Sequence, residues 1–234
     1  MLLTIIEKWK GESSREYVTR LLKFNIINLY LHPGEAISEN EIAAQLNLSR
    51  TPVREAFIRL AQDRLINVFP QKGTSISKIG ESSGDEGRFI RRVVEKELVK
   101  ELCQKEDNAF LIASLEESLF MQKYYVGKNN TVKFVQSDDE FHRIFFNYCA
   151  RQRMFEVVSS LNCDYYRLRM LKMLSGIVGL ESICLQHQEL LEAIRAKDGE
   201  KAERIIDDHL KDQDQDFLYC LEKYPDYFQP GLKR

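Results

Sequence analysis

The run Gly80-Glu81-Ser82-Ser83-Gly84-Asp85-Glu86-Gly87 constrains this chain more than any other. Three glycines, two serines and three acids in eight residues offer nothing to a core, so the run reads as a linker. It divides the 234-residue chain into a domain over 1–79 and a larger one over 88–234, joined by 80–87. The division also changes the meaning of the charge. The whole chain has 34 basic and 36 acidic residues, a net of −2 that argues against nucleic acid. Residues 1–80 hold 11 basic and 8 acidic residues, net +3, which leaves 23 and 28, net −5, for the remainder. A small basic domain beside a larger acidic one points to a nucleic-acid module joined to something else.

With 44% hydrophobic and 30% charged residues the chain is globular, and 11 Gly with 5 Pro favour long helices over a turn-rich sandwich. The first ten residues carry charges and no long apolar core, so no signal peptide is expected. No apolar stretch is long enough to cross a membrane. Five widely spaced cysteines (Cys103, Cys149, Cys163, Cys184 and Cys220) fit reduced core thiols in a cytoplasmic protein.

In the first domain Val18, Leu21, Leu22, Ile26 and Ile27 recur at helical spacing over 16–30, and His32-Pro33-Gly34 stops that helix. Ser38 and Glu41 make a capping-box pattern opening a short helix through Leu46. After the turn Asn47-Leu48-Ser49 a third helix runs to about Asp63, with Pro52 in its first turn and Val53, Ala56, Phe57 and Leu60 on its apolar face. Residues 65–69 and 74–79 flank a polar tip ending in Gly73, which is free to adopt φ > 0: a strand, turn, strand hairpin. Three helices and a hairpin describe a winged helix-turn-helix. The third helix is its reading element. Arg50 and Arg54, four apart, share one face, and Arg matches the O6/N7 edge of guanine. The Ser49 and Thr51 hydroxyls suit phosphate oxygens, and Lys72 at the wing tip adds a phosphate or minor-groove contact.

From Arg88 onward the pattern is helical throughout, with helices expected over 87–105, 108–126, 131–149, 152–175, 178–196 and 199–222. The fold class is therefore mainly α, a winged helix-turn-helix followed by an all-helical bundle. His32 belongs to the Pro-Gly turn; His142, His187 and His209 fall on three different helices of the bundle. Asp138 stands four residues before His142 and Asp139 three before, so either shares its face. Three imidazoles and one carboxylate, if they converge, make an N₃O site for Zn²⁺, Ni²⁺, Mn²⁺ or Fe²⁺.

Two stretches resemble known families. The run from Pro33 to Leu60, with Gly34-Glu35, Ile37-Ser38-Glu39, Glu41-Ile42-Ala43, Leu48-Ser49-Arg50-Thr51-Pro52-Val53-Arg54-Glu55-Ala56, and the wing Pro70-x-x-Gly73, resembles the DNA-binding domain of GntR-family regulators. The resemblance places DNA contacts at Arg50, Thr51, Arg54 and Gly73. It also marks a departure: Asn40 stands where the family commonly has an arginine that touches DNA, and Asn pairs with adenine rather than guanine. Asp138-x-x-Phe141-His142, His187-Gln188-Glu189-Leu190-Leu191-Glu192-Ala193-Ile194-Arg195-Ala196 and Asp208-His209-Leu210 resemble the FCD effector domain of the FadR-like subgroup, and Ile90 to Glu95 its first helix. That resemblance implies a divalent metal on Asp138, His142, His187 and His209. It also implies a small organic acid held by the metal and by an arginine that matches Arg91. Read from spacing alone, Arg91 forms an i, i+4 surface ion pair with Glu95; Arg167 and Arg169 are further cationic candidates, with an exposed face or a domain contact as the favoured reading.

These readings together describe a cytoplasmic transcription regulator, not an enzyme. It is expected to be a homodimer on pseudo-palindromic operator DNA, probing a metabolite and acting as a repressor. The rival reading is a metalloenzyme on small carboxylates with an appended DNA-binding domain. The chain lacks a nucleophile motif, a phosphate-binding glycine loop and a spare Glu at recognisable spacing to serve as general base.

Overall fold

The computed structural model of the protein describes residues 2–161, 163–211 and 214–230. The first helix, α1 (Ser14–Ile27), starts on a capping box that sequence reading overlooked. Ser13 Oγ accepts from the Glu16 N–H, and the Glu16 carboxylate accepts from the Ser13 N–H. Its stripe Val18, Leu21, Leu22 and Ile26 is buried against α3 (Arg50–Gln62), whose buried residues are the expected Val53, Ala56, Phe57 and Leu60. Fully buried Asn25 ties down the stretch before α1, accepting from the Thr4 N–H at 2.8 Å and donating to the Thr4 carbonyl at 3.0 Å. Between them, α2 (Glu39–Leu46) begins at Ser38, but the capping box expected there does not form. Ser38 keeps the backbone of the strand it leaves (φ −127°, ψ 128°) and makes no side-chain cap bond. Asn47 closes α2 in the left-handed region at φ 51°, which Asn tolerates, and so makes the tight turn into α3.

The wing is β2 (Ile66–Phe69) paired antiparallel with β3 (Gly73–Ile76), with Phe69 opposite Gly73 at φ 98°. A third strand, β1 (Ala36–Ile37), pairs with the other side of β3 to give the order β1-β3-β2. Two residues are too few to show alternation, so β1 left no mark in the sequence pattern.

The bundle comprises α4 (Glu81–Cys103), α5 (Ala109–Gly127), α6 (Thr131–Tyr148), α7 (Gln152–Leu161), α8 (Cys163–Leu174), α9 (Leu180–Arg195), α10 (Gly199–Leu210) and α11 (Asp214–Lys223), then a 3₁₀ turn at Pro225–Tyr227. Its core joins Leu98, Leu102, Leu111, Phe134, Phe145, Leu190, Ile194 and Ile206, among others. All five cysteines are buried free thiols. The helix expected over 152–175 is seen as α7 and α8 on either side of residue 162, which lies outside the described residues. That expected over 199–222 is seen as α10 and α11, with Lys211 already extended after α10 (ψ 138°) and residues 212–213 outside the described set.

The linker expected over 80–87 is a correction. Gly80 is the N-cap of α4, and the helix runs unbroken from Glu81. Composition registers the cost of each helical glycine, about 1 kcal/mol, but not what tertiary contacts return. The Gly80 N–H donates to Asp164 Oδ2 at 3.1 Å, Gly84 is buried beside Leu168, and Arg88 pairs with Asp85 at 2.7 Å.

Candidate functional site

Asp138 and His142 on α6, His187 on α9 and His209 on α10 come together, each offering one ligand atom within 4.8 Å of the others. The helices place them by packing: α4 lies against α6, α9 and α10, and α10 packs on α9. His209 Nε2 lies 3.3 Å from His142 Nε2 and 3.3 Å from His187 Nε2. Asp138 approaches from the fourth side, 3.7 Å from His142 Nε2 and 3.8 Å from His187 Nε2.

The opposite edge of each ring is committed. His142 Nδ1 donates to Glu95 Oε2 at 2.5 Å, His187 Nδ1 to Gln122 Oε1 at 2.7 Å, and His209 Nδ1 to Gln186 Oε1 at 2.8 Å. Each ring therefore carries its proton outward and turns a bare Nε2 lone pair inward. Burial pushes the His187 and His209 imidazoles down to about 3, and His142 well below its ordinary range, so the rings are neutral. Burial works against the Asp138 charge, yet Arg169 and the three imidazoles hold it below the usual carboxylate range. Three lone pairs facing one another repel unless a cation lies between them. Ring nitrogens about 2.0–2.1 Å from a shared centre lie about 3.0–3.4 Å apart, so the donor set fits a divalent metal.

This cluster forms one wall of a cavity of about 320 Å³, within the size range of small-molecule sites. His142, His209 and Asp138 share its lining with Arg88, Arg91, Arg169, Lys172 and Lys211. Arg91 does pair with Glu95, at 2.7 Å, but the pair is buried rather than on a surface, and Arg91 Nη1 also donates to the Tyr165 hydroxyl at 3.1 Å. Glu95 thus bridges Arg91 and His142. Arg169 corrects the exposed-face reading: it is half-buried at the cavity wall, donating through Nη2 to Asp138 and through Nη1 to Asp139 at 2.6 Å. It touches both acids, but only Asp138 also falls within the histidine cluster. Arg167 does lie at a domain contact, where its Nη1 donates to the Ser77 carbonyl at 2.5 Å.

Sequence reading missed Gln122, Gln186 and the bond from Glu95 to His142. A signal existed for two of them. Gln122 continues the buried stripe Leu111, Leu115, Leu119, and Glu95 with Arg91 continues the stripe of Leu98 and Leu102. A polar side chain on a core stripe needs a buried partner, and here the partners are a metal-site histidine and an arginine.

At the other end of the molecule Ser49, Arg50, Thr51 and Arg54 are exposed at the start of α3, Asn40 on α2, and Lys72 and Gly73 at the wing tip. Ser49 is the N-cap residue and spends no side-chain bond on its own helix. Among the described residues no acid pairs with Arg50 or Arg54, whereas Arg59 further along the helix pairs with Asp63.

Residues 15–76 match the family described as bacterial regulatory proteins, gntR family, and residues 88–212 match the FCD domain. A transcriptional repressor of Escherichia coli, RspR, is 27% identical over 91% of this chain and 92% of its own length. The E. coli protein McbR/YncC shares the fold with a TM-score of 0.74 at 21% identity, covering 91% of this chain and 99% of that one. A GntR regulator from a Rhodococcus species does so with a TM-score of 0.74 at 23% identity, over 91% and 100%. No described helix is long and apolar enough to cross a membrane. The chain belongs to the GntR family of bacterial regulatory proteins, a transcription regulator whose DNA-binding winged helix-turn-helix is joined to an FCD domain.

Proposed function

We propose that the protein is a homodimeric cytoplasmic repressor that binds a divalent metal at Asp138, His142, His187 and His209 and a small organic acid beside it. Occupancy of that cavity alters its grip on a pseudo-palindromic operator. The observation that carries the reading is the inward convergence of three neutral imidazole Nε2 atoms and the Asp138 carboxylate beside a cavity whose lining includes five cationic side chains, Arg88, Arg91, Arg169, Lys172 and Lys211. A bound Zn²⁺, Ni²⁺, Mn²⁺ or Fe²⁺ ion supplies positive charge and open coordination positions to a carboxylate. Arg91, held by Glu95 and Tyr165, offers such a carboxylate further donors from α4, and Arg169 and Lys172 do so from α8.

On the DNA side, Arg50 and Arg54 read base edges, Ser49, Thr51 and Lys72 hold phosphates, Gly73 lets the wing approach closely, and Asn40 contacts a neighbouring base. Two-fold operators call for a two-fold protein. An interface for the second copy is offered by α5, which exposes Phe110, Phe120 and Tyr124.

Elemental analysis of the purified protein and of His187→Ala tests the metal. About one equivalent per chain is expected in the first and its loss in the second; a full equivalent in the variant overturns the site. A thermal-shift screen of small carboxylic acids, with and without metal, then finds the effector class. Metal-dependent turnover of any acid that binds would establish the metalloenzyme instead.

A further inference from the structure

Residues 77–80, which lead from the DNA-binding domain into α4, are held by hydrogen bonds from two other parts of the chain. The Ser77 carbonyl accepts from Arg167 Nη1 at 2.5 Å, and the Lys78 carbonyl from Arg167 Nη2 and Gln229 Nε2, each at 3.5 Å. The Ile79 N–H donates to the Tyr227 carbonyl at 2.8 Å, and the Ile79 carbonyl accepts from the Gln229 N–H at 3.1 Å, in a parallel bridge between Ile79 and Phe228. The Gly80 N–H donates to Asp164 Oδ2. Asp164 Oδ1 in turn pairs with Arg167, which is 1% exposed. Two devices therefore grip residues 77–80 from opposite sides: the Asp164–Arg167 pair of α8, and a strap over 227–229.

Both devices grow from elements that line the histidine cavity. On α8, Tyr165, Leu168, Arg169, Lys172 and Met173 recur at i, i+3, i+4, i+7 and i+8 and face the cavity. Arg167, one residue before Leu168 and two before Arg169, projects toward the junction, and Cys163 packs into the core of the DNA-binding domain. The strap follows α11, whose Asp216 lines the same cavity, and its Tyr227 hydroxyl meets His32 Nδ1 of the DNA-binding domain at 2.9 Å. A shift of α8 by a fraction of an ångström on cavity occupancy is carried to the junction by a rigid helix, with no free chain to absorb it.

We infer that Asp164 and Arg167, with the strap over 227–229, form a clamp on residues 77–80 that transmits occupancy of the histidine cavity to the orientation of the DNA-binding domain. Arg167 is a positioning residue, and the inference rests on the metal reading only for what fills the cavity. Arg167 Nε is buried without a hydrogen-bond partner among the described residues.

Hydrogen–deuterium exchange on the full chain tests this, with Zn²⁺ as the probe and mass spectrometry counting bound metal. In the wild-type protein the peptide over 76–82 is expected to exchange slowly and to change its protection when Zn²⁺ binds. Arg167→Met keeps the bulk and removes the donors. It is expected to retain one Zn²⁺ and the protection of α9 and α10, to exchange at least tenfold faster over 76–82, and to lose the Zn²⁺-dependent change there. If Arg167→Met does not fold, Asp164→Ala, at a partly exposed residue, is expected to give the same pattern. Unaltered exchange over 76–82 in the variant that folds would overturn the clamp, as would a Zn²⁺-dependent change that survives the substitution. Failure of the wild-type protein to bind Zn²⁺ would overturn the metal reading instead, and the tenfold difference in exchange would still decide the clamp.

Discussion

At the scale of single residues, the site depends on hydrogen bonds one step removed from the ligand atoms. Gln122 Oε1 fixes both the tautomer and the ring plane of His187, and the ring stacks on Phe141 at 4.1 Å between centroids. Gln122→Leu removes the acceptor while keeping the residue's size, and the His187 ring is then free to place its proton on either nitrogen. Metal affinity is expected to fall about 10–100-fold with the fold retained, measured by competition with a chromophoric chelator. Affinity equal to that of the unaltered protein would show that Phe141 alone orients the ring. Of the four clustered residues, Asp138 and His142 were legible as a pair because a His and an Asp four apart must share a helix face. Their supporting residues were not. Gln and Glu are common on solvated faces, and only burial distinguishes Gln122 and Glu95, at 0% and 1% exposure, from that background.

At the scale of elements, α3 is the best-specified part of the chain. Its buried face and its exposed reading edge were both present in the spacing, because one short amphipathic helix meets its core along a single stripe. Arg54→Ala is expected to weaken specific operator binding by about 1–3 kcal/mol while leaving the thermal midpoint unchanged. Gel-shift titration against the operator and a scrambled duplex measures both the loss and its specificity. An equal loss on both duplexes would move Arg54 from base reading to phosphate contact. The capping box shows where local patterns mislead. Ser13 and Glu16 form one, whereas Ser38 and Glu41 have the same spacing and Ser38 makes no side-chain cap bond. Helix α4 makes the same point at larger cost to the reading, since an eight-residue linker composition became two turns of helix once Asp164 and Leu168 were packed against it.

At the scale of the whole molecule, the exposed apolar side chains of α5 bear on assembly. Phe120 is 67% exposed and Phe110 79%, both without a described partner of their own size. Phe120→Glu places a charge in the proposed two-fold interface and is expected to shift the protein toward monomer in light scattering. Affinity for the full operator should fall, and affinity for an isolated half-site should not. A variant that remains dimeric would assign the contact to another face.

The sequence by itself determined the two-domain plan, the three helices and hairpin of the reading head, the helical bundle, and the residue types able to hold a metal. These follow from periodicity and turn chemistry, which act over a few residues and are written locally. Tertiary structure alone decided three further matters. It brought Asp138 rather than Asp139 into the histidine cluster, placed Arg91 and Arg169 along a cavity rather than on a surface, and converted the glycine-rich junction into a capped helix held by α8 and the strap over 227–229. Each of these depends on contacts between residues 30 to 150 positions apart, where the free energy of packing outweighs local preference and no spacing rule records it.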